Sequence, residues 1–239
     1  VELTPRWIPG LSASVEYWNT RIKKAISALA TQYILDECYT GANTGYCSNI
    51  TRNSQGQINS VTAYNANLGG LRTGGIDFDL DYRLRVTSND VVTLSNNMQQ
   101  LISYQQQFLP GAQWYNYDGR LMYQNGSSQP RLRAYATVSW QHGPIGITYM
   151  MQYTSGMVWN NSSLDLNSNM AGRWKTPGMF QHDVTVNYRL KNWNFESGIQ
   201  NIANKKPPFV ASASDNSAGA TYGSFYMGRY FFLQAGVNF

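Results

Sequence analysis

The chain has 239 residues, of which 13% are charged and 14% aromatic, with a net charge of +5. That charged fraction is about half of what a soluble domain carries. Mean hydropathy is −0.41, so the chain is not greasy on average. No run of about 18 apolar residues exists, which excludes a transmembrane helix. The cations are scattered, the tightest pairs being Lys23-Lys24 and Lys205-Lys206, which is too sparse for a nucleic-acid patch.

In chain order, residues 1–9 read as the end of a strand and Pro9-Gly10 as a tight turn. Leu11 to Tyr17 alternates, with Ser12, Ser14 and Glu16 on its polar side, and the strand reaches about Lys24. Ile26 to Glu37 has helical spacing and predicts a short loop helix. Cys38 and Cys47 follow in a Gly/Asn/Thr-rich stretch. Two cysteines without further Cys or His nearby suit a local disulfide in an oxidising compartment better than a metal site. Two free thiols are the alternative. A hairpin around Asn53–Gly56 is expected within this first long connection, roughly 26–70.

The strongest pattern is Gly75 to Leu84. Ile76, Phe78, Leu80, Tyr82 and Leu84 share one parity, and Asp77, Asp79, Asp81 and Arg83 the other. Only a strand separates those sets. Such a strand fits a soluble sheet with one wet face, or a barrel wall with lipid outside and water inside. The aspartates carry no intervening glycine turn, so a calcium loop is excluded. They are expected to line a wet lumen wall, as are Arg131, Arg133 and Arg189, with one or another of these arginines as a candidate partner across strands.

A short turn at 87–90 leads to a strand over 91–104 and then a long loop, 105–129, holding Trp114, Tyr115 and Tyr117. Arg131–Trp140 and Ile145–Tyr153 form a hairpin about Gly143-Pro144. A loop over 158–179 holds Trp159 and Trp174. Val184–Leu190 and Phe195–Ile202 pair about Lys191-Asn192. A fourth loop, 205–224, holds Tyr222, and the last strand runs from Tyr226 to Phe239. Connections therefore alternate short and long through about eight full strands. An up-and-down meander with unlike ends has this form, as outer-membrane barrels do, with short periplasmic turns and long extracellular loops. A soluble sandwich predicts more even loops. The loop aromatics Trp114, Tyr115, Tyr117, Trp159, Trp174 and Tyr222 are the candidate ligand-binding residues, since aromatic faces stack on sugars and chelate rings. Anchoring at lipid headgroups uses the same residue types. No catalytic constellation, metal site or cofactor motif is present; His142 and His182 are far apart in sequence.

The segment Gly198-Ile199-Gln200-Asn201-Ile202-Ala203-Asn204-Lys205-Lys206-Pro207-Pro208 resembles the "N-(L/I)-x-(N/D)-K-x-P-P" run near the end of TonB-dependent outer-membrane receptors. Gly228 to Phe239 is similar to that family's last strand, and terminal Phe239 resembles its barrel-assembly signal. Pro9 to Trp18 resembles its "PGLSLSVDYY" strand opening, and Gly74 to Phe78 its "xGIDF" start. The resemblance covers essentially the whole chain. It implies a barrel of about 22 strands around a plug, in the bacterial outer membrane, importing a scarce ligand such as an iron chelate, cobalamin or an oligosaccharide. It implies as partners membrane lipid, the imported ligand, TonB through a plug region, and the barrel-assembly machinery through Phe239. It implies no enzymatic activity. With about eight strands, no plug and no TonB box, residues 1–239 are expected to be the C-terminal part of such a barrel. A self-contained eight-stranded barrel serving as anchor or adhesin is the alternative.

Overall fold

A computed structural model describes residues 1–109, 111, 113–122, 128–160, 175–208 and 227–238. Among these, one large sheet runs in the order β1-β2-β5-β6-β9-β10-β12-β13-β14, with β7 added beside β6. Its strands are β1 (Glu2–Leu3), β2 (Leu11–Ala28), β5 (Asn65–Arg85), β6 (Asp90–Gln107), β7 (Tyr115–Asn116), β9 (Leu132–His142), β10 (Ile145–Thr154), β12 (Met179–Leu190), β13 (Trp193–Gln200) and β14 (Tyr230–Val237). Sequence neighbours are sheet neighbours, and β1 with β2, β6 with β7 and β9, β9 with β10, β10 with β12, β12 with β13 and β13 with β14 all pair antiparallel. The connections alternate as the sequence predicts: 86–89, 143–144 and 191–192 are short, while 29–64, 108–131, 155–178 and 201–229 are long.

The chain divides into two compact units. Unit 1 comprises Val1–Asn19, Thr73–Tyr104 and Tyr117–Phe239 and contains most of the strand wall. Unit 2 comprises Thr20–Arg72 and Gln105–Asn116. It holds α1 (Thr31–Thr40), a 3-10 turn (Thr44–Asn49) and the hairpin of β3 (Ile50–Arg52) with β4 (Ile58–Val61). In unit 1, short β8 (Arg120–Met122) pairs in parallel with β11 (Val158–Asn160), joining two long connections.

The register turns alternation into continuous rows. Leu94, Val138, Tyr149, Val184, Ile199 and Phe231 stand side by side across six strands. Val92, Trp140, Ile147, Val186, Ser197 and Leu233 form the next row on that face. Between them lies a row of the opposite parity, Thr93, Ser139, Thr148 and Thr185, in which the Ser139 and Thr148 hydroxyls hydrogen-bond at 2.9 Å. Among the described residues no second sheet stacks on the apolar rows: Leu233 is 78% and Phe231 65% exposed, and Val138, Val186 and Leu190 are exposed too. The two rows cover roughly 400 Å² at ordinary strand spacing and rise. A sandwich would have buried them. The buried apolar residues lie elsewhere, chiefly in or beside the long connections: Leu29, Ile34, Leu101, Tyr117, Leu121, Met157 and Met179.

Two sequence expectations shift. The helix starts at Thr31, not Ile26, because β2 runs on through Ala28, and Leu29 then donates its amide to the Tyr64 carbonyl at 3.1 Å. Strand pairing overrides the helical spacing of Ile26 to Leu29. β5 begins at Asn65, eleven positions before the alternation becomes visible. Its hidden part contains Gly69, Gly70, Gly74 and Gly75, and at Gly70 and Gly75 aromatic rings occupy the space of the missing side chains. A Cβ on Gly75 would stand 2.7 Å from the Trp18 ring and 2.7 Å from the Gln100 carbonyl oxygen, and one on Gly70 would stand 2.7 Å from the Trp114 ring.

Gly75→Val is therefore expected to destabilise the fold by about 1–3 kcal/mol through overpacking against backbone. Gly236→Ala, which meets nothing nearer than 4.0 Å, is the matched control. Thermal loss of the heat-modifiable gel band measures both; equal midpoints would contradict the packing account.

Candidate functional site

Three sets of residues could carry function: the polar face of the wall, the loop aromatics, and the segment after β13.

On the polar face, Asp79 accepts from the Ser14 hydroxyl at 3.4 Å and from the Asn97 side-chain amide. Asp81 accepts from the Ser95 hydroxyl at 2.7 Å. Both aspartates are thus tied to strands flanking β5. The expected cross-strand pairing with arginine is corrected: β5 lies between β2 and β6, while Arg133 belongs to β9 and Arg189 to β12. Arg131 instead pairs with Asp118 at 2.7 Å. Asp77 places one carboxylate oxygen in a buried position with no partner among the described residues. Arg133 and Arg189 do fall on the polar parity of their strands, opposite Gln99 and Asn194. Arg83 and Arg189 line a shallow groove of about 420 Å³ together with Thr93, Ser139, Thr148 and Asn187. A groove with two cations and a hydroxyl row suits water and polar groups rather than acyl chains.

The three described loop aromatics differ in their surroundings. Tyr117 is 4% exposed and forms part of the interior, beside the buried Asp118 and Leu121. Burial corrects the expectation that its ring is offered to a ligand. Trp114 carries the Arg72 guanidinium on its ring at 3.9 Å, so that ring is already engaged. Tyr115 remains exposed and packs on Phe108, ring centres 5.8 Å apart. The side chain of Trp159, together with Trp174, Tyr222 and Phe239, lies outside the described residues.

Unit 2 offers an aromatic that the sequence reading missed. Cys38 and Cys47 form a disulfide, as expected, and it ties the end of α1 to the 3-10 turn. Tyr39, beside Cys38, is 59% exposed, with the Arg52 guanidinium 5.6 Å from its ring centre. Tyr33 and Tyr46 meet edge to face beneath the staple. Burial first, then Glu37 and Tyr46, push the Tyr33 phenol above its ordinary range. Isolated Tyr and Arg residues in a Gly/Asn-rich loop give no periodic signal, so the Tyr39–Arg52 pair was not visible in the sequence.

After β13 the chain makes a clasp. Asn201 and Asn204 adopt left-handed φ of 50° and 49°, which Asn tolerates better than other non-glycine residues. The Asn201 side chain is fully buried. Its amide donates to the Lys205 carbonyl at 2.8 Å, and its oxygen accepts from the Lys205 amide at 2.9 Å. The Asn201 backbone amide donates to the buried Asp183 at 2.7 Å, and Gln181 donates to both oxygens of the same carboxylate. The Asn204 side chain accepts from the Arg229 amide at 3.0 Å, and Arg229 donates to the Ile202 carbonyl at 2.9 Å. The Asn-x-x-Asn-Lys spacing is therefore a turn that brings the chain back to the start of β14.

An antiparallel meander with a bare apolar face, a hydrogen-bonded polar face and loops of unlike length is the wall of a transmembrane β-barrel of the outer-membrane type. A family profile described as TonB dependent receptor-like, beta-barrel matches residues 1–202. The chain belongs to the TonB-dependent receptor family, within its β-barrel domain. Solved structures of the ferric enterobactin receptor of Pseudomonas aeruginosa share the fold. One mutant form aligns with a TM-score of 0.62 at 14% identity, and a mutant in complex with enterobactin with 0.60 at 14%. Each alignment covers 100% of this chain and 30% of that one, so the chain spans under a third of those receptors' length. No curated protein matches it by sequence.

Two outcomes are expected of variants. Asn201→Ala should cost more than Asn201→Gly, since both lose the Lys205 hydrogen bonds but only alanine also strains the left-handed backbone, an added penalty of about 1 kcal/mol. Replacing both Cys38 and Cys47 by Ser should speed proteolysis within 29–64 while leaving the strand wall's thermal midpoint in place. Cleavage kinetics read by mass spectrometry, beside gel mobility, decide the second point.

Proposed function

We propose that the chain is the C-terminal part of the barrel of an outer-membrane receptor that imports a scarce ligand with energy supplied through TonB. The observation that carries this is the bare apolar face, continuous across six strands, opposite a hydroxyl- and carboxylate-lined face. In this reading Asp77, Asp79, Asp81, Arg131, Arg133 and Arg189 face the lumen, and the long connections stand outside the cell. A plug and the remaining strands belong to other parts of the receptor. Membrane lipid contacts the apolar rows, TonB acts through the plug, and Phe239 engages the assembly machinery. The role is binding and passage rather than catalysis.

An iron chelate is the favoured ligand class, in keeping with the fold shared with a ferric enterobactin receptor; cobalamin and oligosaccharides are the other classes. Tyr115 and the Tyr39–Arg52 pair are the described loop groups placed to meet it, Trp159, Trp174 and Tyr222 being the remaining candidates. Stacking on an aromatic contributes about 0.5–1.5 kcal/mol beyond area burial. Tyr39→Ala together with Tyr115→Ala is therefore expected to weaken uptake several-fold without loss of the folded protein.

The test is uptake by cells carrying the full-length receptor, offered a ferric catecholate, cobalamin or a maltooligosaccharide, with and without TonB. Accumulation of one of these only when TonB is present is the expected result. Accumulation that ignores TonB, or a folded protein that stays soluble without detergent, would overturn the reading.

A further inference from the structure

We infer that the side chains of Thr87, Asp90, Trp140 and His142 form a proton-sensitive latch, which ties two neighbouring short turns together more tightly as the surroundings become acidic. The latch is independent of ligand and of import, since it belongs only to the short-turn rim of the wall.

Register assembles the rim. Strand β6 starts at Asp90, directly opposite His142 at the end of β9. The turn 86–89 therefore lies beside the turn 143–144, and the Gly143 amide donates to the Asn89 carbonyl at 3.2 Å. Asp90 is the common member of the side-chain contacts. One of its carboxylate oxygens accepts from the Trp140 indole N–H at 3.1 Å and meets His142 Nδ1 at 2.7 Å. The other accepts from the Thr87 hydroxyl at 2.5 Å, and that hydroxyl in turn accepts from the Asn89 and Asp90 amides. The Trp140 and His142 ring centres are 5.7 Å apart. A single carboxylate thus holds one turn from within and the next turn across the sheet.

Histidine is the only residue type in this set that changes charge near neutrality. A neutral imidazole with its proton on Nδ1 donates an ordinary hydrogen bond to a carboxylate. An imidazolium donates a charge-assisted one, roughly twice as strong. The Asp90 carboxyl is held below its usual range, by the Thr87 hydroxyl first and by His142 next. It therefore stays ionised while an imidazole titrates. Acidification through the imidazole range adds a positive charge beside a fixed negative one and tightens the latch. Alkaline conditions leave only the neutral bond, and strong acid, which protonates Asp90 as well, removes the pair. Half of the His142 side chain is exposed, so protons reach it without any opening of the wall.

No other charge answers the imidazolium. Among the described residues Asp90 is the sole carboxylate within ion-pair distance of His142. On β5, Arg83 and Arg85 share the parity of Asp81, which binds Ser95 on the polar face. Asp90 and His142 instead share the parity of Val92 and Trp140, on the apolar face. Arg189 of β12 has the polar parity of Thr185, and Lys191 lies in the turn after it. On the apolar face Tyr188 stands opposite Ile145, which stands opposite His142, and Tyr82 keeps that parity on β5. Phenols as a class titrate near about pH 10 and guanidinium and ammonium groups stay charged, so the imidazole alone responds between about pH 8 and 5.

The experiment is hydrogen–deuterium exchange of the full-length receptor in maltoside micelles, read by mass spectrometry and corrected for the intrinsic pH dependence of exchange. The two conditions are about pH 8 and about pH 5.5, the two sides of the imidazole range. Peptides covering 86–90 and 141–145 should gain about two- to fourfold in protection at the lower pH, the scale of an exposed ion pair. That gain should vanish in H142Q, whose amide does not titrate, and in D90N, which lacks the charge. Peptides covering the turn 191–192, where no carboxylate meets an imidazole, should be unchanged in all three proteins. Heat-modifiable mobility certifies that each variant is folded. Wild-type protection that ignores pH in 86–90 and 141–145 overturns the proposal whatever the variants do. An equal gain in wild type and H142Q overturns the assignment to His142.

Discussion

Every backbone amide and carbonyl placed in hydrocarbon must find a partner within the protein, because lipid offers none. That requirement makes long, regularly paired strands obligatory and leaves side chains to divide by parity. The register shows the division: Leu94, Val138, Tyr149, Val184, Ile199 and Phe231 align on one side, and Thr93, Ser139, Thr148 and Thr185 on the other. The apolar rows have no protein to bury them, and within a membrane they need none. The polar rows satisfy one another locally, hydroxyl to hydroxyl and hydroxyl to carboxylate, and Asp79 and Asp81 of β5 are held in this way.

Much of this was legible because a period of two survives any loop content. Ile145 to Tyr153 and Val184 to Leu190 announced their strands, and the short turns between them were marked by Gly143-Pro144 and Lys191-Asn192. Legibility failed where tertiary contacts replace side chains. Gly69 and Gly70 read as loop, yet they lie in β5, and Gly70 is the seat of the Trp114 ring. Ile26 to Leu29 has helical spacing, yet strand pairing takes it as far as Ala28. A single chain cannot reveal that its glycines are filled by distant tryptophans.

The candidate site was less legible than the fold, for a different reason. Aromatic residues in loops carry no period, so Tyr117 and Tyr115 look alike in sequence. One is sealed into the interior and the other stands open. Trp114 looked like a ligand platform and proves to be the seat of Arg72. Conversely, the Asn201–Lys205 run was recognisable as a family signature before its physical role was visible. It is a hydrogen-bonded clasp in which two asparagines accept backbone angles that most residues resist.

The parallel pairing of β8 with β11 couples two connections that are far apart in the chain. Neither can drift or lengthen independently near that contact without breaking the shared ladder. An antibody raised against either segment as a free peptide would meet a different shape on the folded receptor. Its true epitope is composite, because residues of both segments share the ladder.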